Sequence, residues 1–350
     1  MTKTRLILVP LLALPLCLHA AVGLNGAGST FIYPLASKWF SDYDKKTGVQ
    51  INYQSIGSGA GIRQLLAGTV DFGASDATMS DADMKKAKSP ILHLPATMGA
   101  VVVAYNLTGV PEGLKLTPDV LAKLFLGEIK KWDDNAIAAL NPGVKLPSTD
   151  VSIAHRSDGS GTTNIFTEYL SKVSSAWKEK VGKGTAVNWP VGLGAKGNEA
   201  VAGLIKQVGG AIGYLELAYA MENKLTYALI RNREGSYPVP SIATTTAAAA
   251  GALAEMPADF RASITEMPGK DAYPICGFTW FLVYKHYDDA VKGKELVSFL
   301  NWSMDEGQKT APALNYAPLP ASLVAKIKAS IATIDVSDTQ KPGAQASKGD

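Results

Sequence analysis

Strand-like and helix-like segments alternate along most of this 350-residue sequence. The strand-like segments are short, apolar and rich in β-branched or aromatic residues, and amphipathic segments with helical periodicity lie between them. Strands separated by helices predict an α/β protein with mixed sheets flanked by helices. The predicted strands are 49–54, 70–73, 100–105, 151–155, 211–215 and 278–284, and the predicted helices are 33–47, 61–67, 81–87, 118–124, 163–173, 198–208, 288–301 and 320–330.

The first 20 residues differ in character from the rest of the chain. Lys3 and Arg5 precede an apolar run over 6–18, and the small residue Ala20 follows it. A basic start, a short apolar stretch and a small residue at its end indicate a cleaved secretory signal peptide over 1–20. The run is too short to span a bilayer comfortably, and the remaining alternative is a buried amino-terminal helix.

The chain has two cysteines, and one of them, Cys17, lies inside the predicted signal peptide. Leu16 before it is bulky where a lipoprotein site needs a small residue, so we expect no lipid anchor. Cleavage leaves Cys276 alone, and the exported chain therefore contains no internal disulfide. Its stability must come from a hydrophobic core, in which Cys276 is expected to be an unreactive small residue.

Charge and local composition limit the remaining possibilities. The 34 lysines and arginines against 31 acidic residues give a net charge of +3, and this near balance gives no support for a nucleic-acid-binding face or an anionic-membrane patch. The Ala/Thr-rich segment 243–254 is compatible with a helix or a loop. The polar tail at 336–350 is predicted to be disordered because it has too few apolar residues to pack.

Three segments rich in Gly, Ser and Thr each lead into a helix-like pattern. Small residues let backbone N–H groups approach a ligand, and a helix amino end leaves such groups unpaired and partly positive. Any one of these segments is most simply a turn with a helix cap, but three in one chain favour an anion site. The segments are 26–31, 57–61 and 158–163, and Thr30, Ser58, Ser160 and Thr162 add hydroxyl donors.

Charged residues flank these segments. Arg156 follows the predicted strand 151–155 and can direct a guanidinium, with its paired donors, at an oxyanion; the alternative is a surface arginine. Asp158 is placed to pair with Arg156 and to cap the following helix, and the two roles are compatible. Asp76 follows the predicted strand 70–73, and a carboxylate near an anion is favourable only if the anion carries a proton to donate.

Taken together, the motifs resemble those of the periplasmic phosphate-binding proteins of high-affinity phosphate ABC transporters. The likeness extends from Gly26 to about Ser330, and the combination is far more specific than any single glycine motif. The matching stretches are GAGSTF (26–31), NYQSIGSGAG (52–61), TVDFGASDA (69–77), GEIKKWDDNAI (127–137), RSDGSGTT (156–163) and GAIGYLELAYA (210–220).

The resemblance implies a two-lobe periplasmic binding protein fold of type II, with two strands crossing between the lobes. Lobe one would hold 21–104 plus 276–335 and lobe two 105–275, with crossings in 100–105 and 273–280. The implied phosphate-binding residues are Thr30, Phe31, Ser58, Asp76, Arg156, Ser160, Gly161 and Thr162, with Asp76 accepting the phosphate proton and Asp158 holding Arg156.

Other notable residues are expected outside this site. Trp132 and Trp177 are expected in the core of lobe two, and Lys130 and Lys131 on a solvated face. His155 stands next to Arg156 but outside the implied contact set, where it would at most adjust the surrounding field.

The resemblance implies capture of inorganic phosphate in the periplasm and delivery to a membrane permease, by a monomer without cofactor, metal or nucleic acid.

An enzyme is the main alternative class. After cleavage the chain keeps three histidines, without HExxH or paired-cysteine spacing. Ser160 lies in DGSGT, which is not a G-x-S-x-G elbow, and no GxxxxGK[ST] loop is present. Two further alternatives are a binding protein for another oxyanion such as sulfate and a surface or biofilm protein retaining the fold.

Overall fold

A computed structural model describes residues 23–337 of the chain. The predicted signal peptide at 1–20, with Cys17, lies outside the described residues, as does the predicted tail from 338 onward. Within 23–337, the helices are all too short or too polar to cross a membrane. The described part is an α/β structure with a mixed sheet, as the alternation of segments predicted.

Within residues 23–337, eleven strands build one large sheet and one small parallel pair. The large sheet has the order β2-β1-β3-β11-β4-β8-β6-β7, with β9 added beside β4, and β5 pairs with β10. The strands are β1 (Gly23–Gly28), β2 (Gln50–Ser55), β3 (Phe72–Ser75), β4 (Ile91–Tyr105), β5 (Lys115–Leu116), β6 (Ser152–Arg156), β7 (Leu193–Ala195), β8 (Ala211–Glu216), β9 (Thr226–Tyr227), β10 (Leu229–Ile230) and β11 (Cys276–Tyr284).

Strand β4 is 15 residues long and lies in the middle of the large sheet, where it pairs with strands on both sides. Residues 91–100 pair antiparallel with β11, and residues 101–105 pair antiparallel with β8. We call β2, β1, β3, β11 and 91–100 the first sheet half, and 101–105, β8, β9, β6 and β7 the second sheet half. The chain returns between them just before β11, where the Ile275 carbonyl accepts from the Val101 N–H at 2.8 Å.

Helices cover the sheet, and α1 illustrates how the local sequence sets their ends. Pro34 occupies its first turn, where the missing N–H costs nothing, and Gly48 ends it in a left-handed conformation with φ of 76°. The helices are α1 (Tyr33–Thr47), α2 (Ser58–Leu66), α3 (Asp81–Met84), α4 (Pro118–Phe125), α5 (Asn135–Ala138), α6 (Gly161–Val173), α7 (Ser175–Lys180), α8 (Gly197–Gln207), α9 (Leu217–Glu222), α10 (Ile242–Ala254), α11 (Ala290–Trp302), α12 (Gln308–Thr310) and α13 (Ala321–Ile331).

Aromatic side chains form much of the core in both sheet halves. In the first half, Phe72 packs edge-on against Phe281 with ring centroids 5.6 Å apart. In the second half, Phe166 stacks on Tyr214 at 4.4 Å. Such pairs add to the large apolar area that each ring buries. Trp132 and Trp177 are fully buried in the second half and Lys130 and Lys131 are exposed, which confirms those predictions.

The short elements β5, β7, β9, β10, α5, α7, α9 and α12 were not predicted from the sequence. The outcomes for β1, β4 and the Ala-rich segment, which the sequence left open, have clear physical reasons. Strand β1 was missed because GLNGAG has little β propensity, yet it lies between β2 and β3. Its glycines permit this position: a Cβ on Gly28 would lie 2.0 Å from the Ala74 carbonyl oxygen. Strand β4 begins nine residues before the predicted 100–105, because burial against β11 outweighs the His, Pro and Gly residues within 91–99. The Ala-rich segment is helix α10, which Ser241 and Thr244 start with a capping box.

Candidate functional site

The three Gly/Ser/Thr segments meet where the two sheet halves face each other. The Gly161 N–H donates to the Ser58 hydroxyl at 3.1 Å, and the Gly59 N–H donates to the Gly159 carbonyl at 2.9 Å. Segments 57–61 and 158–163 are therefore in direct contact across the halves. The structure buries all eight predicted site residues, Thr30, Phe31, Ser58, Asp76, Arg156, Ser160, Gly161 and Thr162.

Two helix amino ends, whose first N–H groups have no partners within the helix, lie in this region. Helix α2 begins at Ser58 and α6 begins at Gly161, each two or three residues before the predicted start. Weak helix propensity of Gly and Ser explains the error, and the correction puts Ser58, Gly161 and Thr162 in first turns, where N–H groups lack helical partners. Ser160 is the N-cap of α6, and its Oγ accepts from the Thr163 N–H at 3.0 Å.

Ser160 retains one donor for a ligand. Its own N–H donates to the Thr185 carbonyl at 2.7 Å, so the backbone of this residue is already committed. Its Oγ accepts from α6, which leaves the hydroxyl proton as the remaining donor.

The buried carboxyl of Asp76 accepts hydrogen bonds from three hydroxyl groups. Oδ1 accepts from Ser29 at 2.5 Å and from Thr279 at 2.6 Å, and Oδ2 accepts from Ser58 at 3.4 Å. Burial raises the pKa of Asp76 to about 6, although the hydroxyl donors and Arg156 oppose that effect. The group therefore changes between its protonated and ionised forms close to neutral pH.

Asp76 also lies at the wall of a cavity of about 510 Å³. Residues 76–81 line this cavity from the first sheet half, and Asn164, Ile165 and Glu168 of α6 line it from the second. The cavity thus connects the buried carboxyl with the space between the sheet halves.

Arg156 and Asp158 form a two-pronged ion pair beside the site. Nε donates to Oδ1 at 2.7 Å and Nη2 donates to Oδ2 at 2.5 Å, while Nη1 lies 3.4 Å from the Thr162 hydroxyl. The Arg156 side chain is 1% exposed, so the surface-arginine alternative is wrong. Burial opposes ionisation of Asp158, but the hydrogen bonds from Arg156 outweigh it and hold the pKa of Asp158 below its usual range.

Asp158 does not cap the helix that follows it. Ser160 caps α6, so the predicted cap role of Asp158 is wrong at that helix. Asp158 Oδ1 instead accepts from the N–H of Gly197, the first residue of α8, at 3.1 Å. The carboxylate therefore fixes the arginine and also satisfies a free helix N–H.

Several polar residues at this site were not predicted from the sequence. Ser29 lies inside the first Gly/Ser/Thr segment, so its position in the sequence could have indicated a site residue. Thr279 is one residue of an apolar strand, and nothing in the local sequence marks it as a site residue. Asn198, fully buried, donates through Nδ2 to the hydroxyls of Thr30 at 2.7 Å and Thr162 at 3.2 Å. It lies at the start of a predicted helix, a position that also suits an ordinary helix end.

Neighbouring residues have structural roles. The His155 ring stacks on Trp189 with centroids 4.9 Å apart, next to Arg156 in sequence but packed against the core. Cys276 is buried, and burial raises the pKa of its thiol to about 12, as expected for an unreactive core cysteine. Among residues 23–337, no group of three or more His, Cys, Asp or Glu side chains is arranged to hold a metal ion.

The fold and this site define a two-lobed substrate-binding protein of type II, in which a strand shared by both sheet halves lies beside a buried site with many donors. The sequence model described as the PBP superfamily domain matches residues 18–306. Similar solved structures include a high affinity periplasmic phosphate-binding protein bound with phosphate (TM-score 0.72, 19% identity, 91% of this chain and 97% of that chain). Another is the phosphate-binding protein of Stenotrophomonas maltophilia (TM-score 0.67, 19% identity, 88% and 94%). At this identity the likeness establishes the fold.

Sequence relatives are closer. A protein named Phosphate-binding protein PstS from Xylella fastidiosa is 47% identical over 310 residues, which cover 88% of this chain and 85% of that protein. The protein of the same name from Pasteurella multocida is 43% identical over 330 residues, which cover 94% and 95%. The chain therefore belongs to the PstS family of phosphate-binding proteins. This family consists of substrate-binding transport proteins, not enzymes.

Proposed function

We propose that this protein captures inorganic phosphate outside the cytoplasm and delivers it to an ABC-type phosphate permease. The observation that carries the proposal is the buried Arg156–Asp158 pair at the meeting point of two helix amino ends, opposite the carboxyl of Asp76. A buried site with many donors, the cation of Arg156 and the acceptor of Asp76 suits an oxyanion that still carries a proton.

Each predicted site residue has a role in this proposal. Asp76 accepts the phosphate proton, and Asp158 holds Arg156 in place. In the structure the N–H groups of Phe31 and Gly161 donate to the hydroxyls of Ser29 and Ser58, and phosphate oxygens would replace these hydroxyls as acceptors. The proposed donors to phosphate are Thr30, Phe31, Ser58, Arg156, Ser160, Gly161 and Thr162.

We further propose that the two sheet halves act as the lobes of a hinge. Lobe one holds 21–104 plus 276–335 and lobe two holds 105–275. The switch of β4 from β11 to β8 between residues 100 and 101, with the Ile275–Val101 hydrogen bond beside it, supports hinge strands at these positions. Motion about two strands would open and close the site without disrupting either core.

The location follows from the same proposal. We propose export to the periplasm through a cleaved signal peptide at 1–20, without a lipid anchor at Cys17, and function as a monomer. A solved structure with the same fold is described as a high affinity periplasmic phosphate-binding protein, which supports this location. Edman or mass-spectrometric analysis of the exported protein is expected to find its amino terminus after Ala20, without a lipid.

Calorimetry on protein stripped of bound anion tests the proposed ligand. Phosphate and arsenate are expected to bind, because both carry a proton for Asp76 near pH 7. Sulfate carries no proton near pH 7, so a sulfate oxygen and the Asp76 carboxylate would face each other as two acceptors. Sulfate should therefore bind at least ~10⁴-fold more weakly than phosphate. Failure of wild type to bind phosphate would overturn the proposal and favour a surface protein that retains the fold.

Asp76→Asn tests the basis of this selectivity. An amide can donate as well as accept, so the variant should discriminate less against sulfate. Competition near pH 7 measures the phosphate-to-sulfate affinity ratio in both proteins. A wild-type ratio below about tenfold, or a ratio unchanged by Asp76→Asn, would contradict the role of Asp76 as proton acceptor.

A further inference from the structure

Asn198 joins the two sheet halves through two threonine hydroxyls. It is the second residue of α8, in the second half, and is fully buried. Its backbone N–H and its Nδ2 both donate to Thr30 Oγ1, at 3.2 and 2.7 Å, and Thr30 follows β1 of the first half. Nδ2 also donates to Thr162 Oγ1 in the first turn of α6, at 3.2 Å.

These contacts fill the acceptor positions of both hydroxyls. A threonine hydroxyl has two lone pairs and one proton. Thr30 Oγ1 receives two N–H groups from Asn198. Thr162 Oγ1 receives one from Asn198 and one from Arg156 Nη1, at 3.4 Å. No protein acceptor within residues 23–337 takes either hydroxyl proton, so both hydroxyls are left as donors.

The backbone of β8 fixes the orientation of the Asn198 amide. Its Oδ1 accepts from the N–H of Glu216, the last residue of β8, at 3.0 Å. That bond requires the carbonyl oxygen on the β8 side, so the amide nitrogen faces the two threonines. A turned amide would set its Nδ2 donors against the Glu216 N–H, and burial makes the loss of that hydrogen bond costly.

We infer that Asn198 is a positioning residue that makes Thr30 and Thr162 obligatory donors to the bound oxyanion and aligns them across the two sheet halves. The inference rests on the proposed phosphate function and adds a specificity device to it. Among the eight predicted site residues, Asp76 is then the acceptor, and it faces a set of hydrogen-bond donors. A ligand must therefore present acceptors on nearly every face, as a tetrahedral oxyanion does.

Asn198→Ala and Asn198→Asp test the inference by calorimetry with inorganic phosphate. At metal sites, loss of a partner that orients a ligating side chain typically costs about 10- to 100-fold in affinity, and we expect a loss of the same order for Asn198→Ala. Asn198→Asp is nearly isosteric, but its carboxylate would take the threonine protons and add negative charge. It should therefore lose more affinity than the alanine variant. An equal or smaller loss for Asn198→Asp would overturn the inference.

A double-mutant cycle separates positioning from general damage. Thr162→Val removes the hydroxyl that Asn198 orients, so Asn198→Ala should cost clearly less in that background than in wild type. The same factor of loss in both backgrounds would overturn the inference. Failure of wild type to bind phosphate would instead overturn the proposed function.

Asn232→Ala is the matched structural control. Asn232 is also buried, and its Nδ2 donates to the carbonyls of Gly269, Lys270 and Ala272, outside the site. Its variant should melt at a lower temperature while keeping wild-type phosphate affinity. If Asn232→Ala lowered phosphate affinity as much as Asn198→Ala at equal loss of melting temperature, the effect of Asn198 would be structural and the inference would fail.

Discussion

The Arg156 guanidinium donates some of its N–H groups to protein partners and has others left for a ligand between the sheet halves. Asp158 takes the Nε–H and one Nη2–H, and Thr162 lies near one Nη1–H. A guanidinium has five N–H groups, so one on each terminal nitrogen remains for a ligand. Arg156 can therefore donate two hydrogen bonds to an oxyanion, as expected from the sequence. The two donors are the remaining N–H groups of Nη1 and Nη2.

Replacing Arg156 should severely weaken phosphate binding. Arg156→Ala leaves the anion and Asp158 as neighbouring negative charges in a buried site, and the expected loss of binding free energy is about 3–5 kcal/mol. Arg156→Lys should recover only part of it, because an ammonium lacks these paired donors. Calorimetry measures both. Arg233→Ala is the control, because it removes the same charge at an exposed position and should leave the affinity for phosphate unchanged. Unchanged phosphate affinity in Arg156→Ala would refute the role of Arg156 as a phosphate ligand.

The titration of Asp76 predicts opposite effects of pH on binding and on stability. Because its pKa is raised to about 6, the carboxylate becomes protonated below that pH and can no longer accept a proton from phosphate. Phosphate affinity should fall as the pH drops from 7 to 5, and Asp76→Asn should flatten this dependence. In protein without phosphate, the raised pKa means that the folded state holds this proton more tightly than the unfolded chain.

The stability contribution of Asp76 is therefore fully present below the unfolded pKa of about 3.8 and is lost as the pH rises through about 6. Denaturant unfolding of wild type and Asp76→Asn from pH 4 to 7 measures this contribution as a difference between two curves. Parallel curves for the two proteins would contradict the pKa shift.

At the scale of elements, the close approach of α2 and α6 depends on glycine. A Cβ on Gly161 would lie 2.5 Å from both Asp76 Oδ2 and Ser58 Oγ. Any side chain there would push the amino end of α6 away from the carboxyl and from α2. The glycine in this segment is therefore required by contact between two helix amino ends, in addition to any role in a turn.

Gly161→Ala should reduce phosphate affinity by more than about tenfold, because overpacking costs about 1–3 kcal/mol and here it displaces Asp76 and Ser58. Gly203→Ala is the control. A Cβ on Gly203 in α8 would meet no atom within 4 Å, so this variant should gain about 0.5–1 kcal/mol of stability with unchanged affinity. Titration calorimetry and thermal melting measure the two effects. Wild-type affinity in Gly161→Ala would show that this contact does not shape the site.

At the scale of the whole molecule, hydrogen bonds join the sheet halves at several places beyond β4. Gly59 contacts Gly159, Asn198 contacts Thr30, and the Tyr219 hydroxyl donates to the Thr30 carbonyl at 2.6 Å. These bonds are few compared with the two cores, so the arrangement of the halves should respond to a ligand that bridges them.

Phosphate should therefore compact and stabilise the protein. A ligand that binds the closed form stabilises it by mass action and so raises the melting temperature. At a phosphate concentration of 100 times the dissociation constant, the free energy of unfolding should rise by about 2.7 kcal/mol. Small-angle scattering is expected to give a smaller radius of gyration with phosphate. The Arg156→Ala variant should show neither change at the same concentration. Superimposable wild-type scattering curves would argue against hinge closure, though not against binding.

Local signals in the sequence were sufficient for the α/β class, for most helices and strands and for the segments that form the site. Helical periodicity, short apolar runs and Gly/Ser/Thr clusters before helices act over a few residues, so they can be recognised without a partner. The buried arginine with its aspartate partner was also predictable, because the two are separated by one residue.

Tertiary structure alone decided which distant groups complete the site. Thr279 reaches Asp76 across 203 positions, and Asn198 reaches Thr30 across 168. Strand β4 extends beyond its apolar run because β11 pairs with it, and β1 exists because its glycines fit between two neighbours. These outcomes depend on burial and pairing between remote segments, and such partners become defined only when the chain has packed.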